Sequence, residues 1–368
     1  MRIMVMTSHS PSLFWFRLDM MRSFIKKGHE VMAVGNEKEC KWCEKLKKYN
    51  ILYRKIDISR NSLNPIKDLH TIKSIKNIIR EYNPDKIFTY QAKTVVYGGI
   101  AANQLGITEV YPLIAGVGSL FLSNKLKTRL VRKITIMGYR IAMKKSPAVF
   151  FQNKEDENNF IKAKVIKNQK VVFLRGSGVN LTRFYQQPMP ETMGFLCTCR
   201  LIRDKGIFEY IEACKIIKAN NPNVRCLLLG PFDSNPTSIK PDELNRFIDE
   251  GIIEYFGEKE DVIPYLKQCC VFVLPSYREG TSKAVLEAMS SGKAIITTDA
   301  PGCVETIDDG VNGIMVPVKN VKRLASAMQY MIDNPEQLKK MANQSRKKAE
   351  ELFDVKKVNK AICEAMGI

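Results

Sequence analysis

Histidine, tryptophan and acidic metal-binding motifs are scarce in this chain. Its 368 residues include three His, two Trp and no Asp-x-Asp triplet. The pair Cys40 and Cys43 has C-x-x-C spacing but lacks the second pair that a structural zinc site needs. We therefore expect no metal site and no metal bridge to a bound anion.

Long apolar runs are also missing. No segment reaches the roughly 18 consecutive apolar residues of a membrane-spanning helix, and the apolar start at 1–6 is too short for a signal peptide. The ten cysteines fit a reducing compartment. Several fall in apolar strand-like runs, where they pack as small hydrophobes: Cys197, Cys199, Cys226, Cys269 and Cys270. We expect a cytoplasmic protein.

Acidic residues are absent from 110–154, and the charge of the chain is uneven. Residues 1–178 hold 33 Lys and Arg against 13 Asp and Glu, whereas residues 179–368 hold 25 of each. Apolar residues at spacings of three and four alternate with cations in this acid-free stretch, which predicts a basic amphipathic helix. The cations are Lys125, Lys127, Arg129, Arg132, Lys133, Arg140, Lys144 and Lys145.

Such a helix suits an anionic membrane surface, because each basic residue near a charged leaflet contributes about 1 kcal/mol. We expect peripheral attachment to the inner face of the cell membrane. The alternative is a helix that packs on the core and leaves its basic face in solvent.

Strand-like and helix-like segments alternate along the whole chain, which is typical of α/β domains with parallel sheets. The predicted strands are 2–7, 30–35, 51–55, 86–90, 109–113, 148–151, 194–199, 224–230, 252–256, 271–274 and 294–298, with helices that include 64–82 and 335–368. Two glycines at 176 and 178 mark a boundary. We predict two doubly wound, Rossmann-like domains that face each other across a cleft, at 1–178 and 179–350, followed by a helical segment at 351–368.

Two glutamates surround one predicted helix start. Glu279 lies in the loop after strand 271–274, and Glu287 lies on a helix at 283–291 that Thr281 or Ser282 caps. The N–H groups of Gly280, Thr281 and Ser282 and the helix dipole would suit a phosphate. One carboxylate would then bind a sugar and the other a ribose. The alternative is a loop Glu and an exposed helix Glu.

A second anion site is predicted where strand 194–199 runs into a basic turn. Arg200 and Lys205 would neutralise the two charges of a diphosphate leaving group. Arg203 is expected to pair with its neighbour Asp204. The alternative is a solvated basic turn.

The order Arg200, Lys205-Gly206, Glu279-Gly280 and Glu287-Ala288 resembles the nucleotide-sugar domain of the retaining glycosyltransferases of family four, which have the GT-B fold. The segments 59–65, 116–119, 176–179 and 302–305 resemble bacterial members that extend undecaprenyl-diphosphate-linked sugars. The resemblance implies that Arg200 and Lys205 hold the donor diphosphate. It also implies that Glu279 meets the transferred sugar and Glu287 the ribose, and that segment 351–368 crosses back to the first domain.

The resemblance further implies a UDP-sugar donor, with no cofactor, and a donor-facing loop at Gly116 and Gly118. Glu258 is a candidate for the base pocket. The acceptor, a polyprenyl-diphosphate-linked saccharide, would lie on the first domain, near His9, Ser10, Arg17, Gln91 and Lys93. Gln91 departs from the family, many members of which carry His there.

The expected function is the retaining, metal-independent transfer of a hexose or N-acetylhexosamine to a lipid-linked saccharide in bacterial surface polysaccharide or glycan assembly. A nucleotide-sugar epimerase or hydrolase of the same fold is one alternative, and a non-catalytic membrane-associated binding protein is another. Nucleic acid is not an expected partner, because the cations are not interleaved with aromatic residues.

Overall fold

The computed structural model describes residues 1–58, 64–116, 126–233 and 237–368, with the backbone alone for 126–130. These residues form two compact units. The N-terminal unit comprises Met1–Ser177 with Val358–Ile368, and the C-terminal unit comprises Gly178–Lys357.

The described part of the N-terminal unit contains a parallel seven-stranded sheet in the order β3-β2-β1-β4-β5-β6-β7. The strands are β1 Arg2–Met6, β2 Glu30–Gly35, β3 Ile51–Lys55, β4 Lys86–Tyr90, β5 Val110–Ile114, β6 Ala148–Phe151 and β7 Lys170–Phe173. The helices are α1 Leu18–Lys26, α2 Glu39–Lys47, α3 Pro65–Tyr82, α4 Ala92–Gln104, α5 Leu126–Met143 and α6 Lys154–Lys162, with a π-helical turn at Leu13–Arg17 before α1.

The C-terminal unit repeats this design with a six-stranded parallel sheet in the order β10-β9-β8-β11-β12-β13, counted within the described residues. Its strands are β8 Gly194–Thr198, β9 Arg225–Leu229, β10 Glu254–Tyr255, β11 Val271–Leu274, β12 Ala294–Thr298 and β13 Gly313–Val316. Its helices are α7 Ile207–Asn220, α8 Pro241–Asp249, α9 Ile263–Leu266, α10 Lys283–Ser290, α11 Val321–Asp333 and α12 Pro335–Leu352, and α13 Val355–Met366 ends the chain.

Local sequence explains the element ends. The Asn64 side chain accepts hydrogen bonds from the backbone N–H groups of Ile66 and Lys67, and Pro65 occupies the first turn, so α3 begins there. Gly292, at φ +71°, ends α10 in the left-handed conformation that favours glycine. Every residue of β1 after Arg2, and every residue of β11, is buried, as expected for central strands covered on both faces.

The prediction of one final helix at 335–368 is wrong, because α12 and α13 are separate. Between them, the Val179 N–H donates to Phe353 O and the Val355 N–H donates to Val179 O. These bonds divert the backbone from the helical pattern. Beyond the break, Val358, Ile362 and Met366 are buried in the core of the N-terminal unit. Among the described residues, no helix is long and apolar enough to span a membrane.

Candidate active site

The order of the six-stranded sheet places β8 beside β11, at the point where the strand order reverses. In open α/β sheets, ligands bind at the carboxyl ends of the strands at such a point. The loop after β8 carries Arg200 and Lys205, and the loop after β11 carries Glu279. The Lys205 Nζ donates to Glu279 Oε1 at 2.5 Å, and both side chains are largely buried. The two predicted site residues, 74 positions apart, therefore meet at the switch point.

Backbone contacts hold the two loops together. The Tyr277 N–H donates to Asp204 O at 2.9 Å. Gly206 has φ +70°, and a Cβ there would lie 2.1 Å from Pro275 O, so only glycine permits this approach. The Tyr277 hydroxyl donates to Glu209 Oε1 at 2.5 Å. Lys205 is thus fixed on a rigid turn.

A third loop, after β12, also contacts Glu279. The Glu279 N–H donates to Pro301 O at 2.9 Å. At Gly302, φ is +83°, and a Cβ would lie 2.2 Å from the carbonyl oxygens of both Glu279 and Gly280. Burial raises the pKa of the nearby Cys303 thiol to about 11, and Glu279 adds to that shift. In the sequence, 302–305 stands out only through the family resemblance, and nothing in these residues indicates that they position Glu279.

Arg200 lies in the same turn but has a different partner. Its Nη1 donates to Asp233 Oδ2 at 2.7 Å, and its side chain is 44% exposed. Arg200 would have to leave Asp233, or share it, to contact a diphosphate. The expectation for Arg203 is wrong, because its guanidinium pairs with Glu243, not with the adjacent Asp204. The first turn of α8 brings Glu243 close to Arg203, and the sequence gives no signal for that approach.

The helix α10 begins at the carboxyl end of β11, as predicted, with Ser282 as its N-cap residue. Its N-terminus therefore lies at the switch point, and Gly280, Thr281 and Ser282 form its approach. Glu287 is half-buried on this helix. Burial raises the pKa of its carboxyl, while Lys283 and Arg183 oppose the shift.

The three other predicted donor residues belong to other segments of the chain. Glu258 is exposed in the loop after β10, and its charge adds to the burial effect that raises the pKa of Tyr255. Gly116, two residues after β5, has φ +129°, and a Cβ there would meet no described residue within 4 Å. Gly118 lies outside the described residues.

The N-terminal unit has its own switch point, between β1 and β4. Gln91 follows β4 with φ +71°, an uncommon value for a residue with a side chain. Its Oε1 accepts hydrogen bonds from the Ser8 N–H, the Ser8 hydroxyl and the Thr7 hydroxyl. Gln91 therefore ties the two loops together. His9, half-buried in the first loop, lies edge-on to Trp15 with ring centroids 5.8 Å apart.

The other predicted acceptor residues face inward. Arg17 is 2% exposed, and its guanidinium lies over the rings of Tyr90 and Phe88. Burial lowers its pKa to about 10. Arg17, which was predicted to lie near the acceptor, thus points into the core of the N-terminal unit. Ser10 is also buried, with its N–H and hydroxyl donating to Asn36 Oδ1. The Lys93 ammonium donates to Asp68 Oδ1 at 3.3 Å.

The predicted basic helix is present as α5. Its Tyr139, Ala142 and Met143 are buried, so this face packs on the unit. Ile134, Met137 and Ile141 are 64%, 61% and 50% exposed and form an apolar stripe. Lys133, Lys144 and Lys145 are exposed, Arg132 is half-buried, and Arg140 donates to Ala163 O. Lys125 lies outside the described residues, as do the side chains of Lys127 and Arg129.

Within the described ranges, no group of three or more His, Cys, Asp or Glu residues is arranged to hold a metal ion.

Comparison with known proteins agrees with this architecture. Residues 188–348 match the family described as "Glycosyl transferases group 1", and residues 2–153 match the family described as "Glycosyl transferase 4-like". The chain is 27% identical over 348 residues to the N,N'-diacetylbacillosaminyl-diphospho-undecaprenol alpha-1,3-N-acetylgalactosaminyltransferase of Campylobacter jejuni, covering 91% of this chain and 90% of that protein.

Solved structures show the same fold. The Anabaena protein HepE, solved in complex with UDP, superimposes with a TM-score of 0.80 at 17% identity, covering 100% of this chain and 99% of HepE. A glycosyltransferase from Rickettsia africae superimposes with a TM-score of 0.77 at 20% identity, covering 99% and 97%. The fold is GT-B, and the chain is a glycosyltransferase whose N-terminal and C-terminal units each match a glycosyltransferase family.

Proposed function

We propose that this glycosyltransferase moves a hexose or N-acetylhexosamine from a UDP-sugar to a saccharide linked to polyprenyl diphosphate, with retention of anomeric configuration. The observation that carries the proposal is the Lys205–Glu279 pair at the switch point of the C-terminal unit. The undecaprenol-linked substrate in the name of the Campylobacter relative and the UDP bound to HepE support the acceptor and donor classes. The product would enter bacterial surface polysaccharide or glycan assembly.

In this reaction, the bond between the anomeric carbon and the β-phosphate oxygen breaks, and the acceptor hydroxyl oxygen bonds to that carbon on the same face. The acceptor proton passes to the departing phosphate, so no enzyme nucleophile is needed. Negative charge grows on UDP as it leaves. Lys205, Arg200 and the N-terminus of α10 stabilise that charge, in place of a metal ion.

Glu279 has two roles in this scheme. Without donor, it neutralises Lys205 in a site where an unpaired buried charge would be costly. With donor, Lys205 turns to the diphosphate and Glu279 accepts hydrogen bonds from the sugar hydroxyls. Glu287 accepts hydrogen bonds from the ribose hydroxyls. The C-terminal unit thus binds the donor, and the N-terminal unit binds the acceptor.

The acceptor lipid requires a membrane, and α5 offers a surface for it. The stripe of Ile134, Met137 and Ile141 would enter the interface of the bilayer, while Lys133, Lys144 and Lys145 contact anionic headgroups. We place the protein at the cytoplasmic face of the membrane.

The test is UDP release from a panel of UDP-sugars, with and without a short-chain polyprenyl-diphosphate-linked saccharide. We expect acceptor-dependent release that both Lys205→Ala and Glu279→Ala lower about a hundredfold or more. Lys215→Ala, which removes an exposed lysine from α7 of the same unit, should leave it unchanged. NMR of the product should show the donor's anomeric configuration.

Other outcomes identify the alternatives. Turnover of the donor at the same rate without acceptor would indicate a hydrolase or epimerase. Binding of vesicles without turnover of any donor would favour a non-catalytic membrane protein.

A further inference from the structure

A pocket of about 560 Å³ opens in the N-terminal unit at the carboxyl ends of β2 and β3. Asn36, which follows β2, and Asp57, which follows β3, line one part of it, and Asp68 on α3 lines another. Its volume is within the range of small-molecule sites, about 300–1,000 Å³. None of its described lining residues is a predicted donor-binding residue.

Among the lining residues that the structure describes, two lysines, Lys55 and Lys67, are matched by two aspartates, Asp57 and Asp68, and the Lys55 Nζ lies 2.9 Å from Asp57 Oδ1. A diphosphate would need an excess of cations, so these walls do not suit one. Carboxylates and amides that accept and donate several hydrogen bonds suit a neutral ligand rich in hydroxyl groups.

The pocket also has an apolar side. Ile66 is 78% exposed there, whereas Ile58 and Ile56 lie beneath the surface at 8% and 0% exposed. A sugar ring carries C–H groups on one face and hydroxyls at its edge. An acetamido sugar adds a methyl group. A polar wall opposite an apolar one fits both parts of such a ring.

Two lining residues of the pocket are hydrogen-bonded to residues at the switch point of the N-terminal unit. Asn36 accepts from Ser10 in the loop after β1, and Asp68 accepts from Lys93 at the start of α4. Ser10 and Lys93, which were predicted to bind the acceptor, each position one wall of the pocket.

We propose that this pocket binds a neutral sugar residue of the acceptor saccharide and so selects the acceptor. The inference rests on the proposed transferase function. Asp57 and Ile66 contact the sugar, whereas Ser10 and Lys93 act as positioning residues.

The test compares Asp57→Asn and Ile66→Asp with wild-type enzyme, using the lipid-linked saccharide as the variable substrate. We expect the acceptor KM to rise about fivefold to tenfold for Asp57→Asn, because hydrogen bonds to a charged carboxylate are stronger than those to a neutral amide. For Ile66→Asp we expect a rise of about tenfold or more, because the variant replaces the apolar contact with a charged group. The kcat and the affinity for UDP-sugar should change less than threefold. Asp85→Asn makes the same chemical change at the opposite end of the strands, where Asp85 accepts from the Arg2 N–H, and should leave every constant unchanged.

An unchanged acceptor KM in both variants, with an active wild-type enzyme, would overturn the pocket and leave the transferase intact. A fall in kcat alone would also overturn it, since that result indicates a disturbed reaction centre. Failure of the wild-type enzyme on every lipid-linked saccharide would reject the transferase proposal, and the acceptor pocket with it.

Discussion

The ammonium of Lys205 lies 2.5 Å from the carboxylate of Glu279, and the side chains of the pair are only 16% and 11% exposed. Each residue comes from the loop after a different strand, and those strands are neighbours where the sheet order reverses. A largely buried pair of this kind makes each charge depend on the other. Binding of an anionic donor would replace one ion pair with another.

The first prediction concerns this dependence. Lys205→Ala should lower kcat/KM about a hundredfold or more, because it removes a cation from the developing charge of the leaving group. Glu279→Gln should also lower kcat/KM. The double variant should lose less than the sum of the two free-energy changes, because residues in contact are not additive. Steady-state kinetics with a UDP-sugar measure all four proteins.

If the free-energy changes of the two single variants add up fully in the double variant, the two side chains act independently during the reaction. Lys215→Ala serves as the matched control, since its lysine is exposed on α7.

The second prediction concerns the turn that holds Lys205. Gly206→Ala should lower the free energy of unfolding by about 3 kcal/mol. Alanine is strained by about 1–2 kcal/mol in the left-handed backbone conformation, and its Cβ would also overlap with Pro275 O. At Gly251, φ is a similar +67°, but an added Cβ has no described residue within 4 Å, so Gly251→Ala should be destabilised by the backbone strain alone. Chemical unfolding of the two variants measures the difference. Equal losses would mean that the loop moves away from the methyl group at no cost.

Much of the fold can be predicted from the sequence because most of the strands lie inside a sheet, between two neighbouring strands. The runs that became β8 and β11 are short, apolar and β-branched or aromatic, and burial on both faces requires that composition. The edge strands β7 and β13 were missed. Lys170–Phe173 is only partly buried, and Gly313–Val316 begins with glycine, so neither has the pattern of a central strand.

The site was only partly predictable, for a different reason. Arg200 and Glu279 stand in recognisable positions after strands, so their approximate place could be inferred. The acidic residues that pair with Arg200 and Arg203 could not be inferred. Asp233 and Glu243 lie 33 and 40 residues from the arginines that they bind, on elements whose approach depends on packing across the whole unit. The inward turn of Arg17 likewise depends on Phe88 and Tyr90 in a distant strand.

The third prediction uses the raised pKa of Glu287, which burial causes. The folded protein then holds this proton more tightly than the unfolded chain does. The stability that the group contributes is full below its unfolded pKa, about 4.3, and is lost as the pH rises through the higher folded value. Glu287→Gln has no such loss. Its melting temperature relative to wild type should therefore rise between pH 4 and pH 8.

The same substitution should weaken UDP-sugar binding about tenfold, because a neutral amide accepts weaker hydrogen bonds from a ribose than a carboxylate does. Calorimetric titration measures this affinity. A constant difference in melting temperature across the pH range would contradict the effect of burial. Unchanged affinity would instead reject the ribose contact.

The fourth prediction concerns α5. Replacing Ile134, Met137 and Ile141 with Gln should reduce binding to vesicles that contain anionic lipid by tenfold or more, since burial of one large aliphatic side chain contributes about 1.5–3 kcal/mol. Flotation of the protein with vesicles measures the bound fraction, and raising the salt concentration should lower it further because the lysines are exposed. Ile216→Gln, at a 44% exposed position on α7, is the matched control and should bind as wild type does. If the triple variant floats as well as wild type does, the stripe is not the membrane contact, and some other surface must bring the enzyme to the acceptor that we propose.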